Sequence, residues 1–386
     1  MTTTPATSAT PATSATSAVS VSAGAADVRS LLYSETEDDL RAAVAGLLAD
    51  RSAAGEVIAR SEADGGPYDA ALWKALAREI GAAGLLVPES LGGAGASHRE
   101  AAVVLEELGR AVTPAPYLTG AVIAVEALLG CGTGPAEDLL EDIAAGSRVA
   151  VLALSWSAHE PAVTVGAAGG RLTGRITSVA DAAAADVLLV PAEDGLYAVE
   201  AARIEARTPL DLTRPLADVF CDSTPGTRLA DAATARAAVE RALLAGAGLL
   251  ASEQLGIAEW CLAETVGYLK ERRQFARRVG GFQALKHRMA TLWLELVAAR
   301  AAARDAAGAL ADGAEDAAIA VAVAQAYCAQ VAVHAAEEAV QLHGGIGMTW
   351  EHPAHLYLKR AKSDQLALGS PGRHRARLAD LIDLPA

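Results

Sequence analysis

The densest chemistry in this 386-residue sequence lies between Tyr268 and Ala290. Lys270, Arg272, Arg273, Arg277 and Arg278 gather there in a chain whose formal net charge is −15. Two of the protein's three phenylalanines, Phe275 and Phe282, flank the basic cluster, and Gln283 follows. Two readings fit these residues. They are a helix end whose basic side chains complement its dipole, with Gly280-Gly281 as a turn, or they are an anion site. A second stretch, Gln341-Leu-His343-Gly344-Gly345-Ile-Gly347, sets three glycines within four residues at the end of a long apolar run. Such backbone can approach another molecule closely and expose N–H groups to a diphosphate, although Gly-rich turns between helices are also ordinary.

These segments need rigid elements to hold them. The composition is 52% hydrophobic but only 4% aromatic, so alanine, leucine and valine must make the interior. That mixture favours closely packed helices. Residues 1–25 are Thr, Ser, Ala and Pro in a near-repeat and read as a disordered tail. At Ser34-Glu35-Thr36-Glu37 the spacing is that of a capping box, and helical periodicity follows it. Residues 26–145 are expected to form a helical domain and 146–232 a β-domain. The strands of the latter are predicted at Val149–Leu154, Ala162–Val165, Leu172–Val179 and Val187–Val190. Residues 233–386 read as a long-helix bundle.

The same numbers exclude function classes. A pI near 5.0 argues against an electrostatic grip on nucleic acid or an anionic membrane. The stretch Ala317–Ala336 is interrupted by Gln325, Tyr327, Gln330 and His334, so it reads as a buried helix rather than a span. Four scattered cysteines without a CxxC pair suggest neither disulfides nor a metal centre, and fit a reducing cytoplasm. The first basic residue is Arg29, unlike the charged start of a secretion signal.

In order and spacing, the Arg-rich and Gly-rich segments resemble those of the acyl-CoA dehydrogenase family. So do Leu85-Leu86-Val87-Pro88-Glu89-Ser-Leu-Gly92-Gly93-Ala-Gly95, Leu172-Thr173-Gly174 with Ala185–Val190, and Trp350-Glu351-His352-Pro353 leading to Arg360-Ala361-Lys362. The resemblance implies a mainly α fold in three parts: a helical N-domain, a β-barrel-like middle domain and a four-helix C-domain. It implies non-covalent FAD in a homotetramer, or in a heterotetramer with a related subunit. Arg272, Phe275 and Gln283 would contact the adenine-diphosphate half of a FAD held mainly by the neighbour, with Gln341, Gly344 and Gly345 bordering the diphosphate. Ser155 and Ser157 would stand near flavin edge atoms. The implied reaction is α,β-dehydrogenation of an acyl-CoA or acyl-carrier-protein thioester, with hydride passing to flavin N5 and then to an electron-transfer partner.

The resemblance breaks at the base. The family's Glu stands at one of two places, and these correspond here to Leu368 and to about Gly246. Asp364, one helical turn before Leu368, is the first substitute; Glu253 reads as a packing or salt-bridge residue and Glu351 as structural. The flavin-packing segment is also altered, to Leu154-Ser155-Trp156-Ser157-Ala-His159-Glu160-Pro161. Three functions follow: a dehydrogenase with a displaced base, a base-lacking FAD-binding subunit of a heterotetramer, or a flavin-dependent monooxygenase on the same fold. In the second, the Leu368 amide would remain to polarise a thioester carbonyl.

Overall fold

The computed structural model of the protein describes residues 1–2, 29–63, 66–132, 134–161 and 163–384. The tail expected at 1–25 thus lies, apart from its first two residues, outside the described residues. Helix α1 (Glu35–Arg51) begins at the capping box read from sequence: the Glu37 N–H donates to Ser34 Oγ, and the Glu37 carboxylate accepts from the Ser34 N–H. Helices α2 (Ala54–Ser61), α3 (Ala70–Lys74) and α4 (His98–Arg110) follow. A wide π-helical stretch, Tyr117–Ala124, runs into α5 (Val125–Leu129), and α6 (Pro135–Ala144) closes this part.

The next eighty or so residues form two four-stranded sheets. Strands β1 (Ala150–Leu152), β2 (Val165–Ala168), β3 (Arg171–Ala180), β4 (Val187–Ala192), β5 (Gly195–Val199), β6 (Arg203–Arg207), β7 (Leu216–Pro225) and β8 (Thr227–Asp231) order as β1-β4-β5-β8 and β2-β3-β7-β6. Only the β1–β4 pair is parallel. In the first sheet the side chains alternate between two cores: Leu152, Leu189 and Leu196 face the helices, whereas Val151, Leu188, Val190 and Tyr197 face the second sheet. Both faces are therefore buried, which is why β4 reads as an unbroken apolar run. The second strand starts at Val165, the last residue of the segment expected for it.

Helix α7 (Ala232–Glu271) spans 40 residues, capped by Asp231, which accepts from the Thr234 N–H at 2.8 Å. A tight hairpin of β9 (Arg273–Gln274) and β10 (Arg277–Arg278) joins it to α8 (Gln283–Ala311), followed by α9 (Ala317–His343), α10 (Ala354–Leu366) and α11 (Pro371–Leu381). Helix α7 is the axis of the molecule, packing on α4 on one side and on α8 and α9 on the other. By length and composition, α9 with its following turn would suffice to cross a membrane; 61% of its apolar window is instead buried within the protein. The four cysteines are unpaired, and all but Cys131 are buried.

Candidate functional site

The α7–hairpin–α8 connection and the glycine turn after α9 meet in a cleft of about 490 Å3. Arg272, Phe275, Gly344 and Gly345 line it, together with Tyr268 and His343. Gln283 and Gln341 are exposed and belong to the same two segments, but they are not part of the lining. Gln283 opens α8, with its amide 3.4 Å from His287 Nε2.

The hairpin turns at Phe275 and Ala276, with φ of 50° and 59°. Two consecutive residues at positive φ are the geometry of a type I′ turn, which normally selects Asn or Gly. Here it carries a phenylalanine that is 84% exposed. Phe282 meets that ring edge-on at 6.1 Å, and the Arg277 guanidinium lies 3.6 Å from the Phe282 ring centroid. Arg272, Arg273, Arg277 and Arg278 are all exposed, and among the described residues neither they nor Lys270 has a carboxylate partner. In a chain with 47 acidic and 32 basic residues, five neighbouring cations without carboxylate partners make a local positive patch that can attract an anion. A guanidinium beside side-chain-free backbone suits a diphosphate, and an exposed aromatic on a rigid turn suits a planar ring.

The position where catalysis would be expected is built differently. Leu368 and Gly246, the two positions read from sequence as alternative base sites, lie side by side. A Cβ built on Gly246 would lie 2.7 Å from Ile123 Cγ1 and 3.2 Å from Leu368 Cδ1. Yet the space between them is filled. Thr119, Ile123, Leu154, Trp156, Leu243 and Leu368 leave a cavity of only about 20 Å3, room for roughly one water. Leu368 sits at φ 51°, a strained conformation for a branched side chain, and both its backbone groups are bonded. Its N–H donates to the Trp156 carbonyl at 2.9 Å, and its carbonyl lies 3.0 Å from His374 Nε2. The amide expected to polarise a thioester is therefore already taken.

Trp156 closes the site from the β-domain side. Its indole N–H donates to Ser363 Oγ at 3.1 Å, and the Arg214 guanidinium lies 4.7 Å from its ring centroid. Ser155 lines the small cavity, whereas Ser157 is exposed; their hydroxyls are 3.4 Å apart.

Asp364 does not share a face with Leu368. Helix α10 ends at Leu366, so the helical spacing that would align the two residues is broken. The Asp364 side chain is fully buried beside Arg214, whose Nε is 3.8 Å from Oδ1, and neither carboxyl oxygen has a hydrogen-bond partner. Arg214 and Arg360 pair with Glu253, and Arg360 also with Asp211; its Nη2 donates to the Thr213 carbonyl at 2.9 Å. Two arginines are thus balanced by two carboxylates before Asp364 is counted. Burial, and then repulsion from Glu253, hold Asp364 well above the usual carboxylate range. A fully buried carboxyl whose charged form is disfavoured, enclosed in an ion-pair network, is poorly suited to reach and take a proton from a substrate. Glu253 has the salt-bridge role read from sequence, and Glu351 is exposed.

Sequence reasoning missed Trp156 and His343. Trp156 could have been flagged as a bulky residue where a flavin-packing segment should be small, but its bond to the Leu368 amide has no local signal. His343 stands inside the quoted Gly-rich motif.

Comparison with known proteins adds the following. The family model described as the acyl-CoA dehydrogenase N-terminal domain matches residues 34–147, and that of the C-terminal domain matches residues 235–382. The chain is 36% identical over 347 residues to acyl-CoA dehydrogenase IpdE2 of Mycolicibacterium smegmatis, covering 89% of this chain and 98% of that protein. A structure described as a Tcur3481-Tcur3483 steroid ACAD variant is 30% identical, with a TM-score of 0.81 and coverage of 90% and 98%. The ChsE4-ChsE5 complex from Mycobacterium tuberculosis is 27% identical, with a TM-score of 0.82 and coverage of 93% and 100%.

Proposed function

The chain belongs to the acyl-CoA dehydrogenase family, and from that premise we propose that it is a base-lacking, FAD-completing subunit of a heteromeric acyl-thioester dehydrogenase. FAD is the cofactor of this family, and its chemistry is the acceptance of hydride from the substrate's Cβ. The carrying observation is the contrast between two sites in one chain. The anion cleft is open and uncompensated in charge, whereas the chain's own catalytic position is apolar, filled and hydrogen-bonded shut.

In this reading the chain's residues bind rather than react. Arg272 would hold the diphosphate of a FAD seated mainly on the partner, with the N–H groups at Gly344 and Gly345 within the same cleft. Phe275 would offer its ring to the adenine end, and Gln283 and Gln341 would flank it. A diphosphate on this surface would meet exposed guanidinium groups, one of which, Arg277, is braced against the Phe282 ring. The proton of the substrate's α-carbon would be taken by a carboxylate on the partner, because no group at Leu368 or Gly246 can hold one. The two solved structures named above, at 30% and 27% identity, carry two-component names, which supports an assembly with a related, base-bearing chain. An acyl-CoA substrate and a cytoplasmic location are part of the same proposal.

The test is expression of the chain alone and together with a related chain that keeps the base Glu. The expected result is a nearly colourless protein alone, and in the mixture a yellow complex that acyl-CoA bleaches anaerobically. Arg272→Ala in the mixture should lower flavin affinity at least about tenfold, the loss of one charge-assisted contact. A chain that is yellow by itself and bleached in proportion by acyl-CoA would overturn the proposal.

A further inference from the structure

Behind the wall of the cleft, three donor groups from three elements converge. Glu264 lies on α7, His343 ends α9, and His352 stands in the turn before α10. One ligating atom from each lies within 4.8 Å of the others. His343 is only 3% exposed, and its Nδ1 is 2.7 Å from the Ala339 carbonyl. That bond needs the proton on Nδ1, which leaves Nε2 as a bare lone pair. Nε2 is buried and has no hydrogen-bond partner among the described residues. An acceptor in that position is left unsatisfied unless an electrophile or donor meets it. The His352 ring packs against His343 with centroids 4.2 Å apart, and its Nε2 is 4.0 Å from the Glu264 carboxylate.

We infer that Glu264, His343 and His352 form a binding site for a divalent cation of the zinc class, with water as the fourth ligand. Two imidazoles and one carboxylate are a borderline donor set, suited to zinc rather than to calcium or magnesium, which prefer all-oxygen shells. The His343 Nδ1–H bond to a backbone carbonyl is the outer support that ligating histidines have. His352 must adjust. Its Nδ1 accepts a 3.2 Å bond from the Ala354 N–H, so in the metal-free chain the proton sits on Nε2. Ligation through Nε2 gives up that long bond and turns the ring, which keeps the affinity moderate and makes it fall with acid. The donors must also draw inward to reach a shell of about 2 Å, and Glu264, whose side chain is 47% exposed, is free to do so.

The cation joins α7 to the turn that carries Gly344 and Gly345. It adds positive charge behind a cleft that, on the reading proposed above, receives a diphosphate.

Zinc alone is the probe. The full-length chain, in the assembly in which it purifies, is stripped with chelator and dialysed against Zn2+, and bound metal and melting temperature are measured. About one zinc per chain and a raised Tm are expected for the wild type. His352→Ala and Glu264→Gln alter partly exposed side chains, and each should weaken binding at least about tenfold and abolish the rise in Tm. Far-UV circular dichroism confirms that the variants are folded. If wild type and the His352→Ala/Glu264→Gln double variant bind zinc equally, the site does not exist. Flavin retention, measured on the same samples without metal, separates the two failures: flavin held without a zinc difference sinks the cation site alone.

Discussion

Asp364 shows how neighbours decide what a carboxyl can do. Its position in the chain suggests a base, but its surroundings suggest a buried acid beside the Arg214–Glu253–Arg360–Asp211 network that ties the β-domain to the C-terminal helices. The sign of its effect on stability follows from its raised pKa. Folding holds the proton that the unfolded chain releases above about pH 4, so stability falls as pH rises from there toward the folded value. Asp364→Asn removes that dependence. Urea midpoints of the two proteins should be close near pH 4, and the variant should gain relative to wild type by up to about 1.4 kcal/mol per pH unit above it. A difference that stays constant with pH, or reverses, would show that Asp364 is ionised in the fold. Leu368 makes the related point. Its apolar side chain was legible in the sequence, whereas the fate of its amide depended on Trp156, more than two hundred residues earlier.

At the level of elements, the buried ion-pair network is held by one close helix crossing. Gly109 on α4 and Gly256 on α7 face each other's helices so tightly that a Cβ built on either would fall on a carbonyl, of Glu253 and Glu106 respectively. Glu253 also anchors both arginines of the buried network, so the crossing sets the depth of that network. Gly256→Ala should push α4 off α7, lower stability by about 1–3 kcal/mol and shift the urea midpoint accordingly. Flavin content should change little, because the cleft lies at the far end of α7. The long helices and the strand cluster were readable from periodicity, because burial on one face or two leaves that pattern in sequence. The hairpin was not. Its turn uses Phe275 and Ala276 where the usual signal would be Asn-Gly, and such a turn is maintained by its surroundings rather than by its residues.

For the whole molecule, on the reading proposed above, the chain carries half of one site and a closed version of another. Besides the unpaired cations, it exposes Trp293 and Leu294 on α8 at 55% and 62%. These residues, like Phe275 at the hairpin tip, suit a covered surface more than an open one. If the chain lends its cleft to a partner and cannot seat a substrate itself, a mixed complex should contain about one FAD for every two chains. Flavin absorbance against protein mass from light scattering measures this directly. A ratio of one FAD per chain would mean that the filled position opens to admit a flavin ring.

The sequence alone determined the order of helical and strand-rich parts, the basic and glycine segments that meet in the cleft, and the presence of Leu368 and Gly246 where a resemblance to the family would place a carboxylate. Each of these is written in residue type and local spacing, where side-chain chemistry and backbone period act directly. Only the tertiary structure decided that the space around Leu368 is packed shut, that Asp364 is turned into an ion-pair network, and that His343 meets His352 and Glu264. Those outcomes depend on which side chains, far apart along the chain, compete for the same few cubic ångströms, and close packing settles that competition only once all the elements are in place.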